Sequence, residues 1–225
     1  MNNYIFIPIG SYEQHGPHLP PDTDYLIAKK LVDIVSHIFN GSVIKGIKIG
    51  ISPEHEGFKN TKSLSQKEFI TQIETIIANY QSNSKIIIIN AHGGNKKVIN
   101  SSNTLKTNNI LILHTFSLIK KELLQIRTSN IGGICHAGEF ETSIMLHLFP
   151  DKVYMKKLQK GDEQYIPALD PNYNKEKLDN WKTSDLSKSG ILGDPFHATT
   201  KKGEIWFNYL IKQICYLTRN FITEV

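Results

Sequence analysis

Short apolar runs rich in β-branched residues alternate along this chain with longer stretches in which apolar residues recur every three to four positions. The first pattern predicts strands and the second predicts helices with one buried face. Ile5 to Pro8 reads as a strand. From Asp24 to Phe39, the residues Leu26, Ile27, Leu31, Ile34, Val35 and Ile38 share a helical face. Ser42 to Ile49 predicts a second strand. Ser65 and Glu68 form a capping box, and the helix it opens should turn Phe69, Ile73, Ile76 and Ile77 inward. Lys85 to Ala91 carries four consecutive isoleucines, which suits a parallel strand covered on both faces. Asn109 to His114 repeats that pattern, and Ala137 to Leu148 and Thr199 to Phe221 read as helices. Strands separated by helices imply an α/β protein, a three-layer α/β/α sandwich around a mainly parallel sheet.

Between residues 159 and 190 the pattern fades, and Pro167, Pro171, Asn172 and Asn174 break any regular element. A segment this long and irregular inside a compact domain is expected to be a lid or substrate loop. The whole chain, 1–225, is expected to be one domain.

Composition narrows the class. Forty per cent apolar and 21% charged residues are the proportions of a globular protein with a substantial core. The net charge of +5 is spread thinly, with pairs such as Lys29-Lys30 and Lys201-Lys202 but no basic stripe, so no nucleic-acid partner is expected. Cys135 and Cys215 cannot make a disulfide framework and read as small apolar groups. No apolar run approaches the ~20 residues of a membrane span, and no basic leader precedes the first strand, so a cytoplasmic protein without a membrane partner is expected.

Three stretches carry chemistry. The first runs from Gly10 through Glu13, His15 and His18 to Asp24, at the carboxyl end of the first strand, the edge where open parallel sheets bind ligands. Pro17, Pro20 and Pro21 stiffen it, and mixed carboxylate and imidazole donors suit zinc, manganese or iron. Asp24 would also serve as a helix N-cap. The second is Asn90-Ala91-His92-Gly93-Gly94-Asn95, directly after the tetra-isoleucine strand. Its glycines admit a close ligand, and their N–H groups suit a developing oxyanion. The third is His136-Ala137-Gly138-Glu139-Phe140-Glu141, an imidazole beside carboxylates at a helix start. Were the helix to include His136, Glu139 would share its face and Glu141 would not.

In this order, Gly10 to Asp24, Asn90 to Asn95, and His136 to Gly138 with Glu141-Thr142-Ser143, the stretches resemble the creatininase family. Gly193-Asp194-Pro195 with Lys202-Gly203-Glu204 is a fourth, weaker match. The resemblance implies a metal-dependent hydrolase cleaving the C–N bond of a small cyclic amide or formamide by attack of metal-bound hydroxide. Trimming of a modified peptide is the alternative within the family, and a catalytically silent metal-binding protein is the alternative outside it. It implies two divalent ions, zinc, manganese or iron, held by Glu13, His15, Asp24 and His92. Creatinine amidohydrolase has a metal-binding glutamate where this chain has Gly94. Glu141 is the expected replacement and Glu139 the second choice, and with neither the site would hold one ion. His136 would protonate the departing nitrogen, Gly93 and Gly94 would receive the oxyanion, and Ser52, His55 and Trp181 would touch substrate. His18 would orient a ligand through its ring N–H, whereas His37, His114, His147 and His197 are assigned to structure or surface. A homo-oligomer, a hexamer, is implied as well.

Overall fold

The computed structural model describes residues 3–80, 84–167 and 181–223. Four parallel strands form the sheet in the order β2-β1-β3-β4: β1 (Asn3–Ile9), β2 (Ser42–Val43), β3 (Ser84–Asn90) and β4 (Ile110–His114). The helices are α1 (Thr23–Ile38), α2 (Gln66–Ala78), α3 (Asn95–Ser101), α4 (Thr115–Leu118), α5 (Lys120–Ile126), α6 (Glu139–Leu148), α7 (Thr183–Leu186) and α8 (Thr200–Thr223).

The isoleucine run shows why the sheet has helices on both sides. Successive side chains of a strand point to opposite faces. Ile86 and Ile88 therefore enter a core with Ile5, Ile7 and the Phe69, Ile73 and Ile77 face of α2. Ile87 and Ile89 enter the other, with Phe6, Leu31 and Val35 of α1, Phe140 of α6 and Trp206 of α8. All four isoleucines are fully buried, each contributing roughly 1.5–3 kcal/mol. The capping box opens α2 as expected, though Ile76 is only partly buried. Gly203 lets α8 cross α6 closely, because a Cβ there would meet the Ser143 carbonyl at 1.9 Å.

The second strand is much shorter than Ser42 to Ile49. After Val43 the pairing slips: Ile44 N–H donates to the Phe6 carbonyl and Ile47 N–H to the Pro8 carbonyl, so three residues on one side span two on the other. Pro8 has no N–H for the edge strand, which interrupts the ladder there. Pairing survives beyond it only as a bridge between Ile9 and Ile47. Of the expected lid, residues 168–180 lie outside the described residues. The rest of it holds the short α7 and a loop against the site.

Candidate active site

Ile9 of β1 is in register with Asn90 of β3, so the segments leaving these strands emerge side by side. Asn95 clamps them: its Nδ2 donates to the Gly10 carbonyl and to Asn90 Oδ1, and its Oδ1 accepts from Ile51 N–H. The proline-rich loop folds back through Glu13 N–H donating to the Pro21 carbonyl at 2.9 Å. That return lays the start of α1 over the strand ends. Asp24 sits inside α1, not at its cap, and its carboxylate accepts from Ser11 Oγ at 2.8 Å.

Around Asp24 the first two motifs meet. Its Oδ2 lies 2.9 Å from His92 Nδ1 and its Oδ1 3.3 Å from His15 Nε2. Glu13 Oε2 lies 3.4 Å from His92 Nε2, and its Oε1 3.4 Å from His136 Nδ1 and 3.6 Å from His55 Nε2. Glu141 Oε2 lies 3.8 Å from His15 Nε2. Donor atoms of Glu13, Asp24 and His92 all lie within 4.8 Å of one another, as do those of His15, His136 and Glu141. A third such group, Glu13, His55 and His136, overlaps both.

The hydrogen bonds at the outer ring nitrogens carry the chemical argument. His15 Nδ1 is 2.9 Å from the Glu13 carbonyl, His92 Nε2 is 2.9 Å from the Ile51 carbonyl, and His136 Nε2 is 2.7 Å from the Gln14 carbonyl. A carbonyl only accepts, so each of these nitrogens carries the proton in the neutral ring. The other nitrogen of each then points a lone pair at a buried carboxylate oxygen. In that neutral form a lone pair faces an anion, a repulsion relieved either by a second proton on the imidazole or by a metal ion between the two, and a backbone-anchored imidazole is the usual arrangement of a metal ligand. The donor set fits a divalent transition ion.

Titration behaviour reports the same demand for positive charge. Burial pushes Glu13 and Glu141 above the usual carboxylate range, against the pull of His92 on Glu13 and of His15 on Glu141. Burial opposes charging of His15 and His92, yet Asp24 for the first and Glu13 with Asp24 for the second lift both to about 10. Asp24 is held well below its ordinary value by His15 and His92 despite its burial. His136 is held well below 6.5, chiefly by burial and then by His55 and His15. His55 falls to about 3 for the same leading reason.

The two candidate carboxylates of the third motif part company. Glu141 faces the centre and accepts from Ala137 N–H at 2.7 Å. Glu139 points away, accepting from Thr128 N–H at 3.0 Å and Ser129 N–H at 2.9 Å and pairing with Lys202 Nζ. The helical-face argument for Glu139 fails because α6 starts at Glu139. Ala137, with φ 54°, turns the chain between it and His136. The glutamate missing at position 94 also has a steric reason: a Cβ on Gly94 would meet the Ile51 carbonyl at 2.3 Å and His92 Nε2 at 2.5 Å.

A cavity of about 410 Å³ opens onto the centre, with His55, Gly93, Gly94, His136, Glu141 and Trp181 in its wall. Trp181 stands edge-on to His55, ring centres 6.5 Å apart. Ser52 differs from expectation: it is fully buried and donates from Oγ to Glu13 Oε2, so it supports a carboxylate and does not face the cavity. His18 also differs. Its Nε2 meets Thr142 Oγ1 at 2.9 Å and its Nδ1 has no hydrogen-bond partner among the described residues, so it makes no hydrogen bond to Glu13, His15, Asp24, His92 or Glu141 there. His114, assigned to structure or surface, lines the cavity.

Two participants carried no role in the sequence reading. Ser11 anchors Asp24. Gln14 sits between two histidines, its Nε2 2.8 Å from His55 Nδ1 and 2.9 Å from the Gly190 carbonyl, with its Oε1 accepting from Gly16 N–H. Position inside the Glu-Gln-His run was the only signal for Gln14.

The sequence profile described as creatininase, creatinine amidohydrolase, matches residues 1–218. The chain belongs to the creatininase family. Over 218 residues, 92% of this chain and 81% of the relative, it is 30% identical to the mycofactocin precursor peptide peptidase of Mycolicibacterium smegmatis. It is 28% identical, across 96% of this chain and 90% of the relative, to a 2-amino-5-formylamino-6-ribosylaminopyrimidin-4(3H)-one 5'-monophosphate deformylase of Methanococcus maripaludis. The fold matches a solved structure described as creatininase Mn with a TM-score of 0.80 at 22% identity, over 97% of this chain and 91% of that one. As a creatininase-family protein this chain is a hydrolase acting on C–N bonds. No helix among the described residues is long and apolar enough to cross a membrane.

Proposed function

We propose that this creatininase-family hydrolase cleaves the amide of a small formamide or cyclic amide at a centre of two divalent ions. Glu13, Asp24 and His92 would hold one ion and His15, Asp24 and Glu141 the other, with Asp24 shared. The observation that carries this is the pair of buried histidines, His15 and His92, each tied to a backbone carbonyl by one ring nitrogen and facing the Asp24 carboxylate with the other. Bound ions would supply Lewis acidity and lower the pKa of water toward about 7.

The chain's own residues do the rest. Burial keeps His136 neutral, with Nδ1 facing the centre and Nε2–H anchored to the Gln14 carbonyl. It takes a proton at Nδ1 as water attacks and returns it to the departing nitrogen, a role worth roughly 10²–10⁴ in rate. N–H groups of Gly93 and Gly94, at the cavity wall, take the oxyanion. His55 and Trp181 flank the substrate, and the low accessibility of the centre keeps bulk water out.

A cytoplasmic homo-oligomer, a hexamer, belongs to the same reading and rests on the family alone. The identity with a peptide peptidase favours a second reading, trimming of a modified peptide. Incubating metal-loaded protein with creatinine, aryl formamides and short peptides, with and without chelator, separates the readings by product. Asp24→Ala should lose bound metal and slow turnover by at least about 10²–10³. Normal metal content and turnover in that variant would refute the centre, and metal without any product would leave a silent metal-binding protein.

A further inference from the structure

Four histidines stand around the carboxylates, and their hydrogen bonds wire them in two ways. His15, His92 and His136 spend one ring proton on a backbone carbonyl and turn the other nitrogen inward. His55 is the reverse, and Gln14 decides it. Gln14 Oε1 accepts from Gly16 N–H at 2.9 Å and its Nε2 donates to the Gly190 carbonyl at 2.9 Å, so backbone groups at both ends fix which way the amide lies. Its Nε2 also lies 3.0 Å from His136 Nε2, but the proton on that nitrogen is the one given to the Gln14 carbonyl. One amide hydrogen goes to Gly190, and the second is left for His55 Nδ1 at 2.8 Å. Nδ1 is therefore an acceptor, and the Thr183 hydroxyl, 2.8 Å away, is placed to donate to it as well. A proton on Nδ1 would point straight at the amide hydrogen, so the one proton of this ring sits on Nε2.

That N–H is turned toward the centre. His55 is 2% exposed and belongs to the cavity wall. Its Nε2 lies 3.6 Å from Glu13 Oε1 and makes no hydrogen bond among the described residues, an uncommon state for a buried donor. His136 stands beside it, ring centres 4.3 Å apart, with its Nδ1 3.4 Å from the same Glu13 oxygen. We propose that His55 is a catalytic donor outside the ligand set: its Nε2–H binds the carbonyl oxygen of the scissile amide and holds it as negative charge builds there. Donor atoms of Glu13, His55 and His136 lie within 4.8 Å of one another, yet a ring in this tautomer has no lone pair at Nε2 for an ion. The proton stays on Nε2 throughout, since a neutral imidazole stabilises an oxyanion by hydrogen bonding alone. His136 Nδ1 handles the proton and His55 the oxygen, side by side as the nitrogen and oxygen of a tetrahedral carbon require, and the N–H groups of Gly93 and Gly94 share the second task. The substrate oxygen in this proposal rests on the hydrolase reading; the tautomer does not.

Long-range proton–nitrogen correlation NMR of protein labelled at its histidine nitrogens reads the tautomer without turnover. The His55 pattern, assigned as the one missing in His55→Gln, should show a proton on Nε2 in chelated protein and keep it when cadmium is added, with no nitrogen–cadmium coupling. A proton on Nδ1, or coupling to cadmium at His55, would overturn the proposal. Formanilide and creatinine then probe the role: binding of either should move the His55 Nε2–H proton downfield whether or not the amide is cleaved. In turnover, His55→Phe keeps a ring without a donor and should lose about 10²–10³ in kcat at unchanged metal content, while His55→Gln, which offers an amide N–H, should recover part of it. Chelator-sensitive cleavage with no downfield shift, or with His55→Phe as active as the wild type, sinks the donor and leaves the hydrolase. A downfield shift with no cleavage of any amide sinks the hydrolase reading and keeps the donor.

Discussion

Glu139 and Glu141 stand two residues apart in the first turn of one helix, both buried, and the chain treats them in opposite ways. Glu139 is neutralised from within: Lys202 reaches across from α8, and two backbone N–H groups fill its remaining lone pairs. Glu141 shares its surroundings with Glu13 and Asp24, and among the described residues the positive partners within reach are histidines whose outer nitrogens are already tied down. A buried carboxylate that serves the fold comes with a permanent cation, because an unpaired one is too costly. One that serves a site is left for a cation from outside. The difference separates, within a single motif, an acid paired with a lysine from one that faces histidines and other carboxylates.

Substitution of the two acids is the sharpest way to break that contrast. Glu141→Ala should lower metal content from two ions toward one and cut turnover at least about 10²–10³-fold, with little change in melting temperature once chelator is present. Glu139→Ala should do the reverse. It leaves Lys202 without its partner, costing about 3 kcal/mol of stability, while activity per folded molecule and metal content persist. Elemental analysis and thermal unfolding of both variants decide it. Metal loss in Glu139→Ala would erase the distinction.

Gln14 gives a smaller effect that sharpens the same picture. It fixes His55 through its side chain and His136 through its backbone carbonyl. Gln14→Ala removes the side-chain contacts to both rings and keeps the backbone acceptor of His136, so kcat should fall about 10- to 100-fold, as for lost partners of site histidines, with metal content unchanged. An equal loss in a variant at Thr183, the other partner of His55 Nδ1, would show that the His55 tautomer is what matters.

The smallest effect is on stability against pH in chelated protein. His18, His55, His114 and His136 are held below 6.5, so they bind protons more readily when unfolded and stability rises with pH up to about that value. His15 and His92, raised to about 10, contribute stability that is complete below 6.5 and lost as pH climbs through 10. Raised carboxyls at Glu13 and Glu141 add to the falling limb. Asp24, held low, withdraws its contribution only in strong acid. A maximum near pH 6.5 is therefore expected in melting temperature, and metal should flatten the alkaline side by replacing the protons on His15 and His92. A profile rising from pH 7 to 10 in chelator would contradict the charge assignment.

Much of this was legible without coordinates where residue type alone carried the information. The four isoleucines announce a strand covered on both sides, and the capping box at Ser65 announces the start of α2, because both signals are local. The histidines and carboxylates of the strand-end loops could be picked out because few other residue types bind a transition ion. Helices α3, α4 and α5 were not read, being four to seven residues long and lacking a full period of apolar positions. The second strand was read too long because the proline that interrupts it lies on its neighbour, not on itself.

Sequence by itself set the alternation of strands and helices, the two cores, and the inventory of donors, all of which follow from periodicity and side-chain chemistry. Tertiary structure alone decided which carboxylate faces the centre, that Ser52 supports Glu13, and that Lys96 and Lys120 share a wall of the cavity. Those depend on a left-handed turn at Ala137 and on the parallel pairing of distant strands. No local pattern encodes where such a turn points a side chain, or which residues a sheet brings together.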